Sequence, residues 1–274
     1  MIFLKFTFHS SDKTQNELLI AQLSRFAVEG FEEKENELVA FFNKEKADDE
    51  LIEFITALET PFFMDIVKQQ NWNEEWEKNF QPVVISNSNN EPFLYIRAGF
   101  HPKLGKPVSE IVITPKMSFG TGHHPTTTMM LQLMNEITWK QKEVIDLGTG
   151  TGVLAIYAAQ CGAAKVLAID NDEWSIKNAV ENITLNRAMG ITVLSASTIP
   201  ENQQADVILA NINTNIIISH FDTILNSCKT GGIILLSGML CDDEMKIREL
   251  AISKRVKSLT VRNTLNWMAI RIDL

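Results

Sequence analysis

The sequence predicts an α/β protein in which a small α+β domain precedes a larger, doubly wound and mostly parallel sheet. Three observations lead to this prediction. Residues 1–70 alternate in a β-α-β-β-α-β order, residues 144–254 alternate between apolar runs and helical patterns, and residues 256–272 have the pattern of a closing antiparallel hairpin. The chain has 274 residues, of which 45% are hydrophobic, so each part is long enough to bury a core of its own.

The small domain is predicted from its hydrophobic periodicity. Strands are expected at 2–8, 27–31, 38–42 and 62–67, and helices at 13–26 and 48–58. This order is the split βαβ, or ferredoxin-like, arrangement. Residues 71–80, with Trp72 and Trp76 at helical spacing, predict a linking helix whose tryptophans pack between the domains rather than contact a ligand.

Charge separates the first part of the chain from the rest. Residues 1–80 hold 8 Lys and Arg against 17 Asp and Glu, whereas residues 81–274 hold 17 of each, so the formal charge of −9 lies in the first part. An acidic surface repels nucleic acid and attracts basic partners, although it can also be an ordinary solvated face. The sequence therefore favours a basic partner over a nucleic acid.

Residues 81–274 carry the alternating pattern of the larger domain. Strands are expected at 83–85, 93–97, 111–114, 144–147, 166–170, 191–196, 205–211 and 232–237, with the hairpin at 256–262 and 267–272. Helices are expected from Thr126 to 136 and at 173–187, 214–228 and 242–254. Such alternation predicts a Rossmann-like sheet, whose ligands bind at the carboxyl ends of the strands.

The glycine turn after the strand at 144–147 predicts the kind of ligand. A dinucleotide fingerprint has glycine at positions one, three and six, whereas this turn has Gly148, Gly150 and Gly152 at positions one, three and five and Val153 at position six. A pyrophosphate is therefore not expected. Asp146 adds a negative charge that would repel a pyrophosphate but attract the ammonium of an amino acid, so the turn points to S-adenosylmethionine.

The second strand of this unit ends in Asp170, 22 residues after Gly148. A carboxylate at this position can accept hydrogen bonds from both ribose hydroxyls of a nucleoside. The alternative is a helix cap. Since Asn171, Asp172 and Glu173 can cap the next helix equally well, we expect Asp170 to be available to the ligand.

The segment from Phe119 to Thr127 is predicted to close over the amino-acid end of the cofactor. Thr126 and Thr127 open a helix, where hydroxyls and free backbone amides can hold a carboxylate. His123 and His124 titrate near neutrality and could carry protons, or they could hold the geometry of the loop by hydrogen bonds. Asn211, at a strand end, could orient an amine or cap the helix that starts at Thr214.

Four segments together resemble one known family. They are 119–127 (FGTGHHPTT), 146–152 (DLGTGTG), 169–172 (IDND) and 210–212 (ANI). With the acidic small domain and the tryptophan-rich linker, they are similar to the ribosomal protein L-eleven methyltransferase family, PrmA, over essentially the whole chain. The histidine-rich loop at 119–127 is the most specific of these motifs.

The resemblance implies a class I S-adenosylmethionine-dependent methyltransferase of the bacterial cytoplasm. It implies trimethylation of lysine side-chain amines and of the terminal α-amine of a basic large-subunit ribosomal protein. The small domain would recognise this substrate, and the linker would let the small domain swing relative to the catalytic domain. Cofactor contacts are implied at Thr127, Gly148, Asp170 and Asn211. The chain departs from the family pattern at Thr149, where a cysteine is usual, and at Asn171, where an apolar residue is expected.

Two other function classes remain open at this point. One is a methyltransferase that acts on a nucleic acid or a small molecule, but the enzymes that methylate amide or adenine nitrogens carry Asn-Pro-Pro-aromatic where this chain has 211–214 (NINT). The other is a non-enzymatic nucleoside-binding module.

The three cysteines lie far apart without a CxxC pair, so neither a disulfide framework nor a metal site is expected. We also expect a monomer without a membrane segment.

Overall fold

The computed structural model describes residues 2–274 except for 10–12, 35, 59, 69–79, 106–107, 117, 253 and 255. The chain divides into two compact units, Met1–Glu74 and Glu75–Leu274. The predicted linking helix at 71–80, with Trp72 and Trp76, lies outside the described residues apart from Phe80. No helix among the described residues is both long and apolar enough to cross a membrane.

The first unit has the predicted β-α-β-β-α-β order. Its elements are β1 Ile2–His9, α1 Lys13–Leu23, β2 Val28–Lys34, β3 Glu37–Asn43, α2 Asp49–Thr56 and β4 Phe62–Lys68. The strands form an antiparallel sheet in the order β2-β3-β1-β4. Both helices end earlier than predicted, and α2 is capped by Asp48, whose carboxylate accepts the Leu51 N–H at 3.0 Å.

The core of this unit follows from the two periodicities. Alternate residues of β1, namely Leu4, Phe6 and Phe8, are buried because successive strand side chains point to opposite faces. Leu51 and Ile55, four residues apart on α2, present one helical face to the same core.

The second unit holds two sheets. A three-stranded sheet contains β5 Val83–Ser86, β6 Pro92–Ala98 and β7 Ser109–Ile113. The seven-stranded sheet has the order β10-β9-β8-β11-β12-β14-β13 and is parallel except for β14, which pairs antiparallel with β12 and β13. Its strands are β8 Glu143–Leu147, β9 Lys165–Asp170, β10 Ile191–Ser195, β11 Ala205–Asn211, β12 Cys228–Leu240, β13 Ser258–Thr264 and β14 Trp267–Asp273.

Helices cover both faces of the large sheet. They are α3 Pro125–Met134, α4 Val153–Gln160, α5 Glu173–Leu185, α6 Thr214–Asn226 and α7 Glu244–Ile252, with a 3₁₀ turn at Cys241–Asp243. Two apolar cores result, one on each face. The central strand β11 is buried on both faces, which explains its continuous apolar run.

Several boundaries of the second unit differ from the prediction, among them those of α3, α6 and β12. α3 begins at Pro125 rather than Thr126, because proline is well suited to the first helical position, where its missing N–H is not needed. α6 ends at Asn226, and β12 begins at Cys228 rather than at Gly232. The start of β12 was missed because its pairing with β11 is interrupted between Ala205 and Val207, so the simple period of two is lost there.

Three asparagines on one face of α5 join the two sheets. Asn186, the C-cap of α5, accepts the Val112 N–H at 2.8 Å and donates to the Val112 carbonyl at 2.6 Å. Asn182 accepts the Thr114 N–H at 2.8 Å, and Asn178 donates to the Thr114 carbonyl at 3.2 Å. Residues four apart lie on one helical face, so their amides pair with the backbone at the end of β7 as a neighbouring strand would.

Among these three asparagines, Asn182 also bonds to the backbone of the glycine turn. It is fully buried, and its Nδ2 also donates to the Thr151 carbonyl at 2.8 Å. Asn182→Ala leaves the Thr114 N–H and the Thr151 carbonyl without these partners, so we expect a loss of about 2–3 kcal/mol in the free energy of unfolding. Urea denaturation measures it, with the exposed Thr184→Ala on the same helix as the control. Equal losses in the two variants would contradict this role.

Candidate active site at the carboxyl edge of the large sheet

A cleft of about 390 Å³ lies at the carboxyl edge of the large sheet. Its volume is within the range of small-molecule sites, and its position is where open α/β sheets bind ligands. It is lined by Phe119, His124, Gly148, Gly150, Asp170, Asn171, Ser175, Asn211, Ile212, Asn213, Ile216, Gly238 and Trp267.

Six of the predicted site residues line this cleft: Phe119, His124, Gly148, Gly150, Asp170 and Asn211. Four do not: Thr126, Thr127, Asp146 and Gly152. Asp146, Thr126 and Thr127 are fully buried. Any contact between these four residues and the cleft is therefore through their neighbours.

The glycine turn presents bare backbone to the cleft. Gly148 has a φ of +75°, and a Cβ there would lie 2.3 Å from Ile212 Cγ2. Gly150 has a φ of +53°, and a Cβ would lie 2.4 Å from the Phe119 carbonyl oxygen. Both positions exclude side chains for reasons of conformation and of space, so a ligand can approach the backbone closely.

The loop that carries Phe119 is attached to this turn. Thr151 donates its backbone N–H to the Phe119 carbonyl at 3.0 Å and its hydroxyl to the Gly120 carbonyl at 2.8 Å. The Phe119 side chain is nevertheless 53% exposed and lines the cleft. The backbone is thus held while the ring remains available for a contact.

Asp170 is oriented by two backbone amides. Its Oδ2 accepts the Gly150 N–H at 2.9 Å, and its Oδ1 accepts the Asp172 N–H at 3.0 Å. The N-cap of α5 is Asp172, which accepts the Ser175 N–H at 2.8 Å. Since Asp170 does not cap the helix and a carboxylate has about four acceptor positions, both of its oxygens can still accept hydrogen bonds from a ligand.

Asp146 lies beneath the turn, with a fully buried side chain. Its Oδ2 accepts the Thr149 hydroxyl at 2.7 Å, and its Oδ1 has no partner among the described residues. Burial raises the pKa of this carboxyl to about 7, against the opposing effect of the Thr149 hydrogen bond. The Asp146 carboxylate therefore contacts the glycine turn directly, rather than the open cleft.

Asn211 provides an acceptor at the floor of the cleft. It is 8% exposed, and its Nδ2 donates to the Thr127 hydroxyl at 3.3 Å, whereas its Oδ1 has no partner among the described residues. The cap of α6 is Asn213, which accepts the Ile216 N–H at 3.1 Å. Asn211 is thus not the helix cap, and its Oδ1 can accept an N–H from a ligand.

His124 is the N-cap of α3. Its Nδ1 accepts the Thr126 N–H at 3.4 Å and lies 2.7 Å from the Thr126 hydroxyl. These contacts assign Nδ1 as the acceptor and place the hydrogen on Nε2. Burial lowers the pKa of His124, so the ring is neutral near pH 7.

His123 is not among the cleft-lining residues, and its contacts hold the loop. The residue is exposed. Its Nδ1 lies 3.0 Å from the Thr121 hydroxyl oxygen, and its Nε2 lies 2.9 Å from the Gln81 carbonyl oxygen. It also packs edge-on against Phe80 at 4.8 Å. Both ring nitrogens take part in these contacts. His123 therefore fits the alternative in which the histidine holds the geometry of the loop by hydrogen bonds.

Trp267 and Gly238 were not predicted as site residues. Gly238 has a φ of +88°, a Cβ there would lie 2.3 Å from the Ile212 carbonyl oxygen, and the β12–β14 register shifts beside it. A glycine inside a predicted strand is a recognised signal of such a bulge. No sequence signal marks Trp267, because only the pairing of β14 brings it to the cleft.

The cleft residues fit the predicted cofactor. The bare glycine turn and the two Asp170 oxygens suit a nucleoside with free ribose hydroxyls, and the unpartnered Asn211 Oδ1 suits a group with N–H donors. Neither lysine nor arginine is found among the cleft-lining residues of the described chain, so a phosphate would lack a counter-charge.

The raised pKa of Asp146 predicts a pH-dependent stability. Between its ordinary value of 3.8 and about 7, this carboxyl binds more protons in the folded state than in the unfolded state, so the contribution of Asp146 to the free energy of unfolding falls as the pH rises through this window. Asp146→Asn is neutral in both states and should lower this slope, whereas Thr149→Val should steepen it. Urea midpoints at pH 4, 5.5 and 7 measure both effects, and parallel profiles for all three proteins would contradict the assignment.

Comparisons with known proteins agree with the fold. The family model described as Ribosomal protein L11 methyltransferase (PrmA) matches residues 6–273. A protein named ribosomal protein L11 methyltransferase from Bacteroides thetaiotaomicron is 35% identical, over 99% of each chain. One of the same name from Chlorobaculum tepidum is 37% identical, over 96% of this chain and 93% of its own.

A solved structure shows the same architecture. The crystal structure of ribosomal protein L11 methylase from Lactobacillus delbrueckii subsp. bulgaricus superposes with a TM-score of 0.61 and 26% identity, covering 69% of this chain and 97% of that one. The family match spans nearly the whole chain and includes the glycine turn, Asp170 and the histidine loop. The chain therefore belongs to the ribosomal protein L11 methyltransferase family, PrmA.

Proposed function

We propose that this protein transfers methyl groups from S-adenosylmethionine to ribosomal protein L11 in the cytoplasm, trimethylating lysine side-chain amines and the terminal α-amine. One observation supports this most strongly. The same cleft combines a carboxylate oriented for ribose hydroxyls, Asp170, with a buried and unpartnered acceptor for an amine, Asn211 Oδ1.

The cofactor would be held mainly by the turn and by Asp170. The carboxylate accepts the ribose hydroxyls, and the backbone at Gly148 and Gly150 allows close approach. Phe119, which is exposed and lines the cleft, would cover the cofactor from the loop. When bound, S-adenosylmethionine supplies a methyl group attached to a cationic sulfur.

The remaining predicted cofactor residues do not line the cleft but contact or flank residues that form it. Asp146 holds the turn through Thr149, and Gly152, with a φ of +80°, starts α4. Thr126 orients His124, and Thr127 orients Asn211. We assign these four residues to positioning.

The amine must be neutral to act as a nucleophile. At pH 7, removing the proton from lysine costs about 4.6 kcal/mol, whereas a terminal amine costs only about 1 kcal/mol. Transfer of the amine into a cleft that holds a cationic sulfur lowers this cost, because burial and a nearby positive charge both disfavour the ammonium. Asn211 Oδ1 then accepts one N–H and orients the lone pair.

His124 contributes to geometry rather than to proton removal. Its Nδ1 already accepts from Thr126, and protonation of Nδ1 would break the cap of α3. Since His124 is the only histidine among the described residues that line the cleft, and Asp146 beside them is buried, the proton leaves to solvent.

The acidic first unit suits recognition of a basic protein. Exposed carboxylates at Glu32, Glu33, Asp48, Asp49 and Glu50 give it a negative surface, which would steer a basic partner over long range. The same charge disfavours direct nucleic-acid binding. We propose that residues 1–70 recruit the substrate and that the protein acts as a monomer.

The proposed function is tested by incubation with labelled S-adenosylmethionine and purified ribosomal protein L11. We expect label in L11, with the modified amines identified by mass spectrometry. Asp170→Ala should weaken cofactor binding by about 1.5–3 kcal/mol in calorimetry, because it removes charge-assisted hydrogen bonds. The neighbouring Asp172→Ala removes only a helix cap and serves as the control. Unlabelled L11 would reject the proposed function, and unchanged affinity would remove Asp170 from the site.

The role of His124 is tested with two amines of different pKa. His124→Ala should lower turnover on lysine and on the terminal amine by the same factor, because it disturbs the loop and the cap rather than a proton transfer. Rates on the two amines between pH 6 and 9 provide the measurement. A selective loss on lysine, which has the larger deprotonation cost, would instead make His124 the proton acceptor.

A further inference from the structure

Three aromatic rings stand side by side in the cleft. The His124 ring lies between Phe119, at 5.2 Å, and Trp267, at 4.6 Å between ring centroids, with interplanar angles of 59° and 73°. All three residues line the cleft, and they come from the 119–127 loop and from the start of β14. We call these three residues the aromatic wall.

The aromatic wall carries no positive charge. Burial keeps the His124 ring neutral near pH 7 by lowering its pKa, and neither lysine nor arginine occurs among the cleft-lining residues of the described chain. The negative faces of neutral aromatic rings attract cations, and quaternary ammonium groups are bound by such rings in proteins. This surface is therefore suited to the quaternary ammonium product, whose charge needs no proton, and to the positive charge that develops on a methylated amine during transfer.

Strand register places the wall at the same edge as the amine acceptor. Asn211 pairs with Ser237 of β12, which in turn pairs with Ala269 of β14. Trp267 precedes Ala269 by two residues in an antiparallel strand, so it lies toward the carboxyl end of β11. The bulge at Gly238 shifts the register at this point, from Ser237–Ala269 to Met239–Met268.

Repeated methylation changes the number of N–H groups on the nitrogen and, in the last round, makes its positive charge permanent. In each round the nitrogen lone pair forms the new N–C bond, and the bond from the methyl carbon to sulfur breaks with its electron pair on sulfur. The first two rounds leave an ammonium that must release a proton to solvent before it can react again. The third leaves a quaternary nitrogen with a permanent charge and no N–H.

An acceptor alone cannot hold all of these forms. A primary amine can donate an N–H to Asn211 Oδ1, but a tertiary amine has none to donate. The first methyl leaves one N–H for the contact with Asn211 and the second leaves none, whereas each added methyl increases the contact area for an aromatic face.

We propose that the aromatic wall, with Trp267 as its main contact, holds the mono- and dimethylated amine in the cleft and so determines that methylation continues to the quaternary product. This inference rests on the proposed function, since it concerns the number of methyl groups added to each amine. Trp267 is a specificity-determining residue in this role, and Asn211 holds the unmethylated amine.

The first test measures the product distribution on ribosomal protein L11 at limiting times by intact-mass spectrometry. Trp267→Leu should slow the third transfer about fivefold to tenfold more than the first, so that mono- and dimethylated forms accumulate. Trp267→Phe keeps a ring and should restore most of the trimethylated product. Trp174→Leu, at an exposed tryptophan outside the cleft, controls for the loss of an indole.

The second test measures binding without methyl transfer. Calorimetry compares two synthetic peptides of the substrate's amino terminus, one with a free and one with a trimethylated α-amine. The wild-type protein should prefer the trimethylated peptide several-fold, and Trp267→Leu should remove this preference. A preference that persists in Trp267→Leu, or an equal slowing of all three transfers, overturns the inference. Wild-type protein that binds with this preference but leaves L11 unmethylated would reject the proposed function and not the wall.

Discussion

The arrangement of the cleft depends on one hydrogen bond, from the Gly150 N–H to the Asp170 carboxylate. It joins the turn after β8 to the end of β9, and so fixes both the bare backbone and the carboxylate that face the ligand. The next residue, Thr151, attaches the Phe119 loop to the same turn. Because the turn adopts left-handed conformations at Gly148 and Gly150, side chains there would disrupt the bond and the loop together.

The second carboxylate of the site has the opposite environment. Asp146 is fully buried and its pKa is raised to about 7, whereas Asp170 is partly exposed and accepts two backbone N–H groups. Burying a carboxylate with an unpartnered oxygen is unfavourable for stability. Asn211 Oδ1 adds a second buried acceptor without a partner. Such unsatisfied groups are expected where a site is prepared for a ligand rather than for maximal stability.

The two adjacent histidines stabilise the 119–127 loop in different ways. His123 uses both ring nitrogens to hold the loop, and His124 caps α3 while its ring stands between Phe119 and Trp267. A neutral ring of this kind can face the positive charge that develops on the amine without taking its proton. Methyl transfer would then depend on positioning, exclusion of water and the local electrostatic environment, with no side chain required as a base.

The sequence by itself determined the order of the strands and helices, the glycine turn and the position of Asp170 at the end of β9, because these follow from local periodicity, from glycine conformation and from spacing along one β-α-β unit. The element boundaries predicted from the sequence were wrong where strand pairing is irregular, as at the start of β12. Only the tertiary structure decided that Asp146 is buried, that Asn213 rather than Asn211 caps α6, and that Trp267 stands beside His124. These outcomes depend on strand register and on contacts between residues distant in sequence, which no local pattern encodes.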